Sequence, residues 1–395
     1  MSNTLGVDLG GTKAGFVLAD GDGNFLYEKS YPSPFQRTSR LTAGGEPETV
    51  IDAEMTDVPA ERRVAAYLAK LESEFLKEAK RTAGAAAPDR KGYSLCGKTW
   101  TQDGKIVMVG SNAPMRFAAD FGSGRSGIIV ADAAEGSQAA NDGNAAATAQ
   151  GIYYRAVSGI EPRETGYIIL GTGFGFGIPF YSALTEIGHI PVRAMPDWLL
   201  QECGCTEGRR TACAENYASG RGLQETARIL LSMEGKPELE ASFPGRPGPG
   251  PCKLVSESAL RDGAADSKRI MELARGGKDG LACFIEDLAA DVTAHAAVTA
   301  ALLFGLQVIG AGESIALHHP WHVRRIAEKA DALTAGNNML RPKLRIEPTP
   351  LRDPAKFGAL SLVVPEERYE AWASKMAAVK KNGTRITTDE TDAHR

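Results

Sequence analysis

Four side chains in the middle of the sequence have the types and spacing of a metal site. They are His189, Cys203, Cys205 and Cys213, and the last three account for half of the chain's six cysteines. Imidazole and thiolate are ligands that zinc prefers, and four of them close a tetrahedral site without an open position for catalytic water. The pattern therefore predicts a structural Zn²⁺ site, with three buried cysteines and a helix-capping histidine as the alternative.

Two glutamates flank the predicted metal site. Glu186 precedes His189 by three residues, and Glu215 follows Cys213 by two. A folded metal site would hold both carboxylates against one pocket, because the metal fixes the backbone on either side. Carboxylates fixed in this way suit the hydroxyl groups of a polyol, so we expect such a ligand here.

A glycine turn near the N-terminus has the chemistry of a phosphate-binding loop. It places Asp8 at the end of a strand, followed by Gly10, Gly11, Thr12 and Lys13. Glycines let backbone N–H groups approach phosphate oxygens, the hydroxyl and ammonium add donors, and the carboxylate could hold hydrated Mg²⁺. The inverted Thr-Lys pair and the absence of a helix pattern directly afterwards argue against a P-loop fold. A simple hairpin turn is the alternative.

A second glycine run lies in the other half of the chain. Gly171, Gly173, Gly175 and Gly177 alternate, so they share one face of an extended hairpin that a phosphate or a backbone could approach. The dinucleotide fingerprint fails because Phe176 stands at its sixth position, which argues against a nicotinamide enzyme. Packing of these glycines against a neighbouring strand remains the alternative.

Asp142 is the candidate general base. The sequence places it after an apolar strand and at the start of an alanine-rich helix, where local donors can hold a carboxylate. Phosphoryl transfer needs one such carboxylate within reach of the acceptor hydroxyl, beside a nucleotide site and Mg²⁺. Taken alone, Asn-Asp-Gly could equally provide a helix N-cap.

Composition narrows the classes of function. The chain has 395 residues, is 43% hydrophobic and 24% charged, and carries a net charge of −4, which is ordinary for a globular protein of two or three domains. This charge gives no electrostatic footprint for nucleic acid or an anionic membrane. With no signal-peptide pattern and no apolar run of about eighteen residues, we expect a cytoplasmic protein that acts on small molecules.

Periodicity predicts alternating strands and helices. Residues 4–31 have the pattern of a three-stranded meander, and a charged amphipathic helix is expected at about 60–82. Residues 32–59 and 236–252 are rich in turn residues and are predicted to be inserted loops. A long apolar helix is expected over 281–306, followed by another buried strand and glycine turn.

These segments together resemble the ROK (repressor, open reading frame, kinase) family. The motifs, in chain order, are LGVDLGGTKAGFVLAD, SNAP, NDGNAAATAQG, YIILGTGFGFGI, EIGH, C-G-C with CAENYASG, and VIGAGES. The resemblance implies an α/β protein of the actin/hexokinase/Hsp70-like (ribonuclease H-like) fold, with two domains around a cleft. It also implies phosphorylation of a sugar with ATP and Mg²⁺.

The domain boundaries expected on this basis follow the motifs. Residues 1–130 would form the N-terminal α/β domain, and residues 131–365 would form the C-terminal domain, with the zinc segment at 186–220. A helix at about 366–381 would return to the first domain. Residues 382–395 would be a disordered tail, and the family resemblance implies a homodimer.

The resemblance also implies a role for each motif residue. The nucleotide phosphates would be contacted by Asp8, Gly10, Gly11, Thr12, Lys13, Gly171, Thr172 and Gly173. The adenosine would be bordered by Gly310, Gly312 and Glu313. The sugar hydroxyls would be held by Asn112, Asn141, Asp142, Glu186, His189 and Glu215. Asp142 would be the base, and His189 would also bind structural Zn²⁺ with the three cysteines.

The sequence departs from the family pattern around the metal. The gap between His189 and Cys203 and the gap between Cys205 and Cys213 both carry extra residues compared with the family. Thr206 stands where the family has glycine. Together with the inserted segments, this leaves several acceptors open. The expected reaction is phosphorylation of the 6-hydroxyl of glucose or a related hexose, and the alternatives are an N-acetylhexosamine or an atypical amino sugar. Polyphosphate remains open as the donor.

Two readings of other classes remain as alternatives. A sugar-sensing DNA-binding regulator is disfavoured because the chain opens on the first strand and has no basic patch. A non-catalytic sugar-binding protein is disfavoured because Asp8, Lys13 and Asp142 are all present. The cluster His318-His319-Pro-Trp-His322 is expected to lie on a surface loop as solvated histidines.

Overall fold

The computed structural model of the protein describes most of the chain. The described residues are 3–42, 45, 47–110, 114–122, 125–180, 187–192, 195–203, 205, 209–236, 238–239, 251–263, 265–337, 343–351 and 353–382. They form two compact units. The first comprises Met1–Arg163, Gly177–Leu184 and Pro350–Arg395, and the second comprises Glu164–Phe176 and Thr185–Thr349. Of the predicted tail at 382–395, Asn382 ends the last helix and the other residues lie outside the described part of the chain.

The first unit is built on a five-stranded sheet in the order β11-β6-β1-β2-β3. Its strands are β1 (Asn3–Leu9), β2 (Lys13–Ala19), β3 (Phe25–Pro32), β6 (Pro88–Leu95) and β11 (Ser137–Asn141). The antiparallel ladders β1–β2 and β2–β3 agree with the predicted meander. In contrast, β6 runs parallel to both β1 and β11.

A second sheet of the first unit has the order β7-β8-β10-β9. Its strands are β7 (Lys98–Gln102), β8 (Lys105–Val109), β9 (Ala118–Asp120) and β10 (Ser126–Asp132). A separate hairpin pairs β4 (Arg37–Leu41) with β5 (Pro47–Thr49), and helix α1 (Val50–Glu54) follows it. The prediction that residues 32–59 form an inserted loop without a helix was therefore wrong. Thr49 and Asp52 form a capping box, a local signal that starts α1.

Helix α2 (Arg63–Ala83) lies close to its predicted bounds and buries Leu68, Leu71 and Phe75 in one core of the first unit. It ends at Gly84, which adopts the left-handed conformation that terminates many helices. The pattern of apolar residues three and four apart accounts for this burial, because it places them on one helix face.

Three helices pack on the other face of the main sheet: α3 (Asp142–Ser158), α11 (Pro354–Ser361) and α12 (Tyr369–Asn382). A side chain at Gly92 would overlap the backbone of Ala359, and one at Gly358 would overlap that of Ala145, so α11 is wedged between β6 and α3. The division of the structure differs from the predicted boundary at 130, because β11 and α3 complete the sheet and core of the first unit.

The second unit is built on a four-stranded sheet in the order β13-β12-β16-β17. Its strands are β12 (Thr165–Leu170), β13 (Phe174–Gly177), β16 (Val308–Gly312) and β17 (Arg345–Pro348). The short strands β14 (Gln201–Glu202) and β15 (Arg210–Thr211) form a hairpin. Its helices are α4 (Glu215–Ala218), α5 (Gly220–Ser232), α6 (Pro251–Ser256), α7 (Ser267–Ala274), α8 (Gly280–Phe304), α9 (Glu313–His318) and α10 (Pro320–Thr334). The predicted loop at 236–252 lies mostly outside the described residues.

Helix α8 matches the predicted apolar helix. By length and composition alone it could cross a membrane, because an 18-residue window within it has a mean hydropathy of 1.3. Half of that window is buried inside the structure, and a core helix of a folded domain passes the same test. Its packing against α7 and α10 accounts for the apolar composition.

The prediction of solvated loop histidines at 318–322 was wrong for His322. This residue lies in α10 and is buried, and its Nδ1 atom is 2.6 Å from Oε1 of the buried Glu286 in α8. Composition suggested a polar loop, but the histidine is buried because a carboxylate on the facing helix supplies its partner.

Candidate functional site

Strand register brings two of the predicted motifs to one edge of the first unit's main sheet. In the parallel strands β1, β6 and β11, Leu9 lies beside Leu95 and Leu95 lies beside Asn141. The next residues, Gly10 in the glycine turn and Asp142 at the start of α3, therefore follow the same carboxyl edge. Ligands of open α/β sheets commonly bind at this edge.

The glycine turn between β1 and β2 is held by a buried serine. Ser33 donates from Oγ to the carbonyl of Gly10 at 2.7 Å and from its backbone N–H to the carbonyl of Thr12 at 3.1 Å. The N–H of Gly10 donates to the carbonyl of Lys13 at 2.9 Å. With these carbonyls occupied, the exposed Thr12 and Lys13 side chains lie at the surface of a fixed turn.

Asp8 is a half-buried carboxylate beside this turn. It accepts a hydrogen bond from Oγ of Ser94 at 2.7 Å. Burial raises the pKa of Asp8, while the Ser94 hydrogen bond and the charge of Lys356 oppose the rise. A hard oxygen donor at the end of a strand fits the predicted contact with hydrated Mg²⁺.

Asp142 opens helix α3, but the cap of that helix is the preceding residue. Asn141 accepts from the N–H of Gly143 at 2.9 Å through its side-chain oxygen, and its amide group donates to the carbonyl of Gly97 at 3.3 Å. Asp142 Oδ1 accepts from the same N–H at 2.8 Å. Because Asn141 fills the capping position, helix initiation alone does not account for a carboxylate at 142.

The thiol of Cys96 is influenced by the carboxylates of both Asp8 and Asp142. Burial raises the pKa of its thiol, and the negative charges of Asp142 and Asp8 raise it further. Both carboxylates therefore act on one thiol, which follows β6 at the same sheet edge. Strand register independently puts Asp8, at the end of β1, and Asp142, directly after β11, at the carboxyl edge of the same sheet.

In the second unit, the loop after β12 meets the end of β16. These strands are parallel, with Ile169 beside Gly312. A Cβ atom at Gly171 would lie 3.3 Å from Cβ of Glu313, so the two predicted nucleotide segments lie against each other. Glu313 has a left-handed backbone with φ of 69°, which is uncommon for a residue with a side chain and often marks a functional turn.

Packing explains several glycines of the segments that were considered for phosphate or adenosine contact. A side chain at Gly175 would press on Ile169, one at Gly177 would overlap the backbone of Gly143, and one at Gly312 would overlap the ring of Tyr167. Gly310 is buried inside β16. In the second glycine run, the residues left for phosphate contact are therefore those of the Gly171–Gly173 turn.

Three backbone contacts assemble the predicted metal site in the second unit. Pro191 bridges to Cys213, the N–H of Val192 donates to the carbonyl of Ala212, and that of Ala214 donates to Ile190. The β14–β15 hairpin brings the other cysteines to the same place. The metal-binding atoms of His189, Cys203, Cys205 and Cys213 all lie within 4.8 Å of one another.

The distances in this cluster fit one tetrahedral ion. His189 Nδ1 is 3.2 Å from Sγ of Cys203 and 3.9 Å from Sγ of Cys213. Zinc bound at about 2.3 Å from sulfur and about 2.0 Å from nitrogen requires similar separations. Burial, and then the neighbouring Cys203 thiol, raises the pKa of Cys213. A bound cation would stabilise the thiolates instead.

The other ring nitrogen of His189 faces Glu215. Nε2 is 3.3 Å from Oε2 of Glu215, and Nη2 of Arg221 is 2.7 Å from Oε1. A Cβ atom at Gly173 would lie 3.5 Å from Oε1 of Glu215. One carboxylate therefore connects the metal ligand to the glycine turn of the second unit.

Two of the residues predicted to contact sugar, Asn112 and Glu186, lie outside the described residues. The other four lie in two places. Asn141 and Asp142 are in the first unit, and His189 and Glu215 are in the second. In the second unit the structure thus brings together His189 and Glu215, which are far apart in sequence.

Comparison with known proteins identifies the family. A glucokinase from Streptomyces coelicolor is 31% identical over 296 residues, which cover 71% of this chain and 77% of that protein. The profile described as "ROK family" matches residues 136–364. The chain belongs to the ROK family. The resemblance predicted from the motifs is therefore confirmed.

Solved structures of ROK proteins share the fold. A ROK family glucokinase from Streptomyces griseus, in complex with glucose and AMPPNP, matches with a TM-score of 0.54 and 22% identity, covering 91% of this chain and 99% of that one. A ROK family transcriptional regulator, a homologue of the E. coli Mlc protein, matches with a TM-score of 0.52 and 15% identity, covering 95% and 81%. The predicted actin/hexokinase-like fold class is confirmed.

Three residues near the candidate sites were not found by sequence reasoning. Ser33 holds the glycine turn, Ser94 donates to Asp8, and Arg221 pairs with Glu215. Ser94 sits on β6 beside Asp8, so strand pairing would have been the signal. The other two contacts join segments 23 and 6 residues apart, and a sequence pattern does not indicate such contacts.

Proposed function

We propose that this ROK-family sugar kinase transfers the γ-phosphate of ATP to the 6-hydroxyl of glucose or a related hexose. Asp142 acts as the general base. The observation that carries the proposal is the placement of Asp142 beside the glycine turn, at a helix start already capped by Asn141. There its carboxylate, which accepts from the N–H of Gly143, is held at the carboxyl edge of the sheet, where it can receive the proton of a substrate hydroxyl.

The reaction places simple demands on Asp142. The acceptor oxygen forms a bond to the γ-phosphorus, the bond from that phosphorus to the β–γ bridging oxygen breaks, and the hydroxyl proton goes to the carboxylate. ADP and the sugar phosphate leave. Little covalent chemistry is required of the protein, so positioning and charge stabilisation provide most of the rate.

The nucleotide is held by the two glycine turns. In the first unit, the donors of Thr12 and Lys13 stand on a turn whose carbonyls are tied to Ser33. In the second unit, the Gly171–Gly173 turn contacts the phosphates, and Gly310, Gly312 and Glu313 border the adenosine. Asp8 would hold hydrated Mg²⁺, which neutralises phosphate charge when bound. The AMPPNP complex of the Streptomyces griseus relative supports ATP over polyphosphate as the donor.

The sugar hydroxyls are held by carboxylate, amide and imidazole groups. Asn141 and Asp142 contribute from the first unit, and His189 and Glu215 contribute from the second, together with Asn112 and Glu186. Structural Zn²⁺ bound by Nδ1 of His189 would fix the Nε2 atom that faces Glu215. The metal thereby orients the sugar site without entering the chemistry.

Glucose is favoured as acceptor by the glucokinases among the relatives. An N-acetylhexosamine or amino-sugar kinase would use the same carboxylates and differ in the pocket formed by loops. A non-catalytic sugar-binding regulator would bind the sugar without turnover. Both alternatives predict a different result in the same assay.

The expected setting is the cytoplasm, and the expected assembly is a homodimer. The glucokinase relatives support the first, and the resemblance to the family supports the second. Light scattering coupled to size-exclusion chromatography would give the mass of the assembly. A mass of one chain, 41.9 kDa, would contradict the dimer.

The decisive experiment is a coupled assay of ADP release with ATP and Mg²⁺ over a panel of sugars. Hexoses, hexosamines, N-acetylhexosamines and deoxy sugars are compared, with 6-deoxyglucose as the matched control for glucose. Turnover of glucose without turnover of 6-deoxyglucose would establish the acceptor hydroxyl. A preference for an N-acetylhexosamine would identify that sugar, instead of glucose, as the acceptor. Sugar binding without ADP release would overturn the proposal of a kinase.

A further inference from the structure

The carboxylate of Glu215 has two partners in the second unit. Oε2 faces Nε2 of His189 at 3.3 Å, and Oε1 faces Nη2 of Arg221 at 2.7 Å. The two ends of the Arg221–Glu215 pair differ in exposure: the Arg221 side chain is 63% exposed, and that of Glu215 is 16% exposed. Arg221 is therefore the mobile partner, and water competes for its side of the bond.

The backbone of Arg221 is joined to the glycine turn that meets the phosphates in the proposed function. Helix α5 begins there: the N–H of Gly220 donates to the carbonyl of Gly171 at 2.8 Å, and the N–H of Arg221 donates to that of Thr172 at 3.3 Å. Ser219 caps the helix and accepts from the N–H of Gly222. The Arg221 side chain thus starts from a backbone in direct contact with the turn.

A bound sugar would compete with Arg221 for the carboxylate of Glu215. Sugar hydroxyls donate to a carboxylate, and Oε1 of Glu215 already accepts from Arg221. This oxygen also lies 3.5 Å from the position that a Cβ atom at Gly173 would occupy. A sugar that takes Oε1 displaces the guanidinium, which then becomes available to a phosphate on the turn that the Arg221 backbone contacts.

We propose that Arg221 is a catalytic residue whose guanidinium moves from Glu215 to the transferring phosphoryl group when sugar binds. This inference rests on the proposed function, in which the Gly171–Gly173 turn contacts the nucleotide phosphates. Sugar binding then completes the charge stabilisation of the transition state, and ATP bound alone is not activated.

The role of Arg221 is electrostatic. Charge spreads over the three equatorial oxygens of the phosphoryl group during transfer, and a guanidinium presents paired N–H donors with the matching geometry. Arg221 forms no bond to phosphorus and keeps its proton throughout. Since Glu215 holds it in the absence of sugar, the cation is kept away from ATP that has no acceptor.

The test is Arg221→Gln in the full-length, metal-loaded protein. With glucose as acceptor, we expect kcat to fall about 10²–10³-fold, as on removal of one transition-state donor. The affinity for glucose, measured by calorimetry without nucleotide, should be unchanged or tighter, because Glu215 no longer has a competing partner. Arg228→Gln is the control, since Arg228 lies two turns further along α5 in another exposed ion pair, with Glu225, and its kcat should stay near wild type.

Chemical rescue separates catalysis from a structural role. Added guanidinium ion should restore part of the kcat of Arg221→Ala, and Arg221→Lys should retain more activity than Arg221→Gln. The inference is overturned by a kcat for Arg221→Gln within threefold of wild type, by equal loss in Arg228→Gln, or by weakened glucose binding without rescue. Failure of the wild-type protein to phosphorylate glucose would instead overturn the proposed acceptor, and with it this inference.

Discussion

The candidate residues in the first unit and those in the second unit are held in place by different kinds of force. In the first unit, strand pairing along β1, β6 and β11 brings the glycine turn and Asp142 together. In the second unit, side-chain contacts join Glu215 to His189 and to the Gly171–Gly173 turn, and His189 belongs to a cluster that could hold a metal ion. The residues of the first unit are positioned by the backbone of the sheet, whereas those of the second unit depend on side-chain contacts.

The two sets of residues should therefore respond differently to substitution and to metal loss. A backbone ladder spreads its stability over many hydrogen bonds, so a single substitution in it has a local effect. A four-ligand metal site depends on every ligand, and its loss releases all the segments it joins. We therefore expect metal removal to perturb mainly the second unit. In the first unit, we expect the largest loss of activity on substitution of the candidate base, Asp142.

The largest effect is expected at the base in the first unit. Asp142→Asn should lower kcat about 10²–10⁴-fold, the usual contribution of general-base catalysis, while glucose binding is retained. Steady-state kinetics and calorimetry measure the two quantities. Asp132→Asn is the control, because Asp132 is an exposed aspartate of the same unit at the end of β10. Unchanged turnover in Asp142→Asn would remove this residue from the mechanism.

The next effect is expected at the metal site of the second unit. Cys213→Ala should abolish stoichiometric zinc in elemental analysis and weaken glucose binding about 10–100-fold, because His189 would lose the contact that orients it toward Glu215. Cys283→Ala is the control, since Cys283 lies in α8 outside the metal cluster. Hydrogen exchange should increase in the second unit and leave the β1–β3 meander protected. Zinc-free wild type with full glucose affinity would contradict this.

The smallest effect is expected at the serine that holds the first glycine turn. Ser33→Ala removes the donor to Gly10 and should cost about 1 kcal/mol of local stability, since that partly buried carbonyl loses its partner. We expect KM for ATP to rise about 3–10-fold with kcat nearly unchanged. Ser30→Ala, at an exposed position of β3, the strand that ends just before Ser33, should behave as wild type. An equal change in both variants would mean that β3, not the turn, is responsible.

Local patterns were sufficient for several features. The glycine turn, the meander, the amphipathic helix α2 and the cluster of three cysteines and a histidine could all be predicted from residue types and spacing, because each depends on neighbours along the chain. Since the family and its enzyme class follow from the motif order, the chain could be predicted to be a ROK-family sugar kinase, and the matches confirm this.

Other features depended on segments that are distant in sequence. Asn141 was expected to contact sugar, and the structure shows that it also caps α3, a role that had been considered for Asp142. His322 was expected in solvent, but the facing helix supplies Glu286 as its partner. The hairpin and α1 within residues 32–59 were missed because turn-rich composition masked a capping box at Thr49.

By itself, the sequence determined the chemistry available: a metal-binding set, two glycine turns, and carboxylates suited to a polyol and a proton. These are properties of residue types and short spacings. The tertiary structure decided how the groups are arranged, because Ser33 meets Gly10 and Ser94 meets Asp8 only after the chain folds. The same is true of the contacts of Glu215 with His189 and Arg221. Such contacts follow from strand register and helix packing, and local residue preference does not encode either of them.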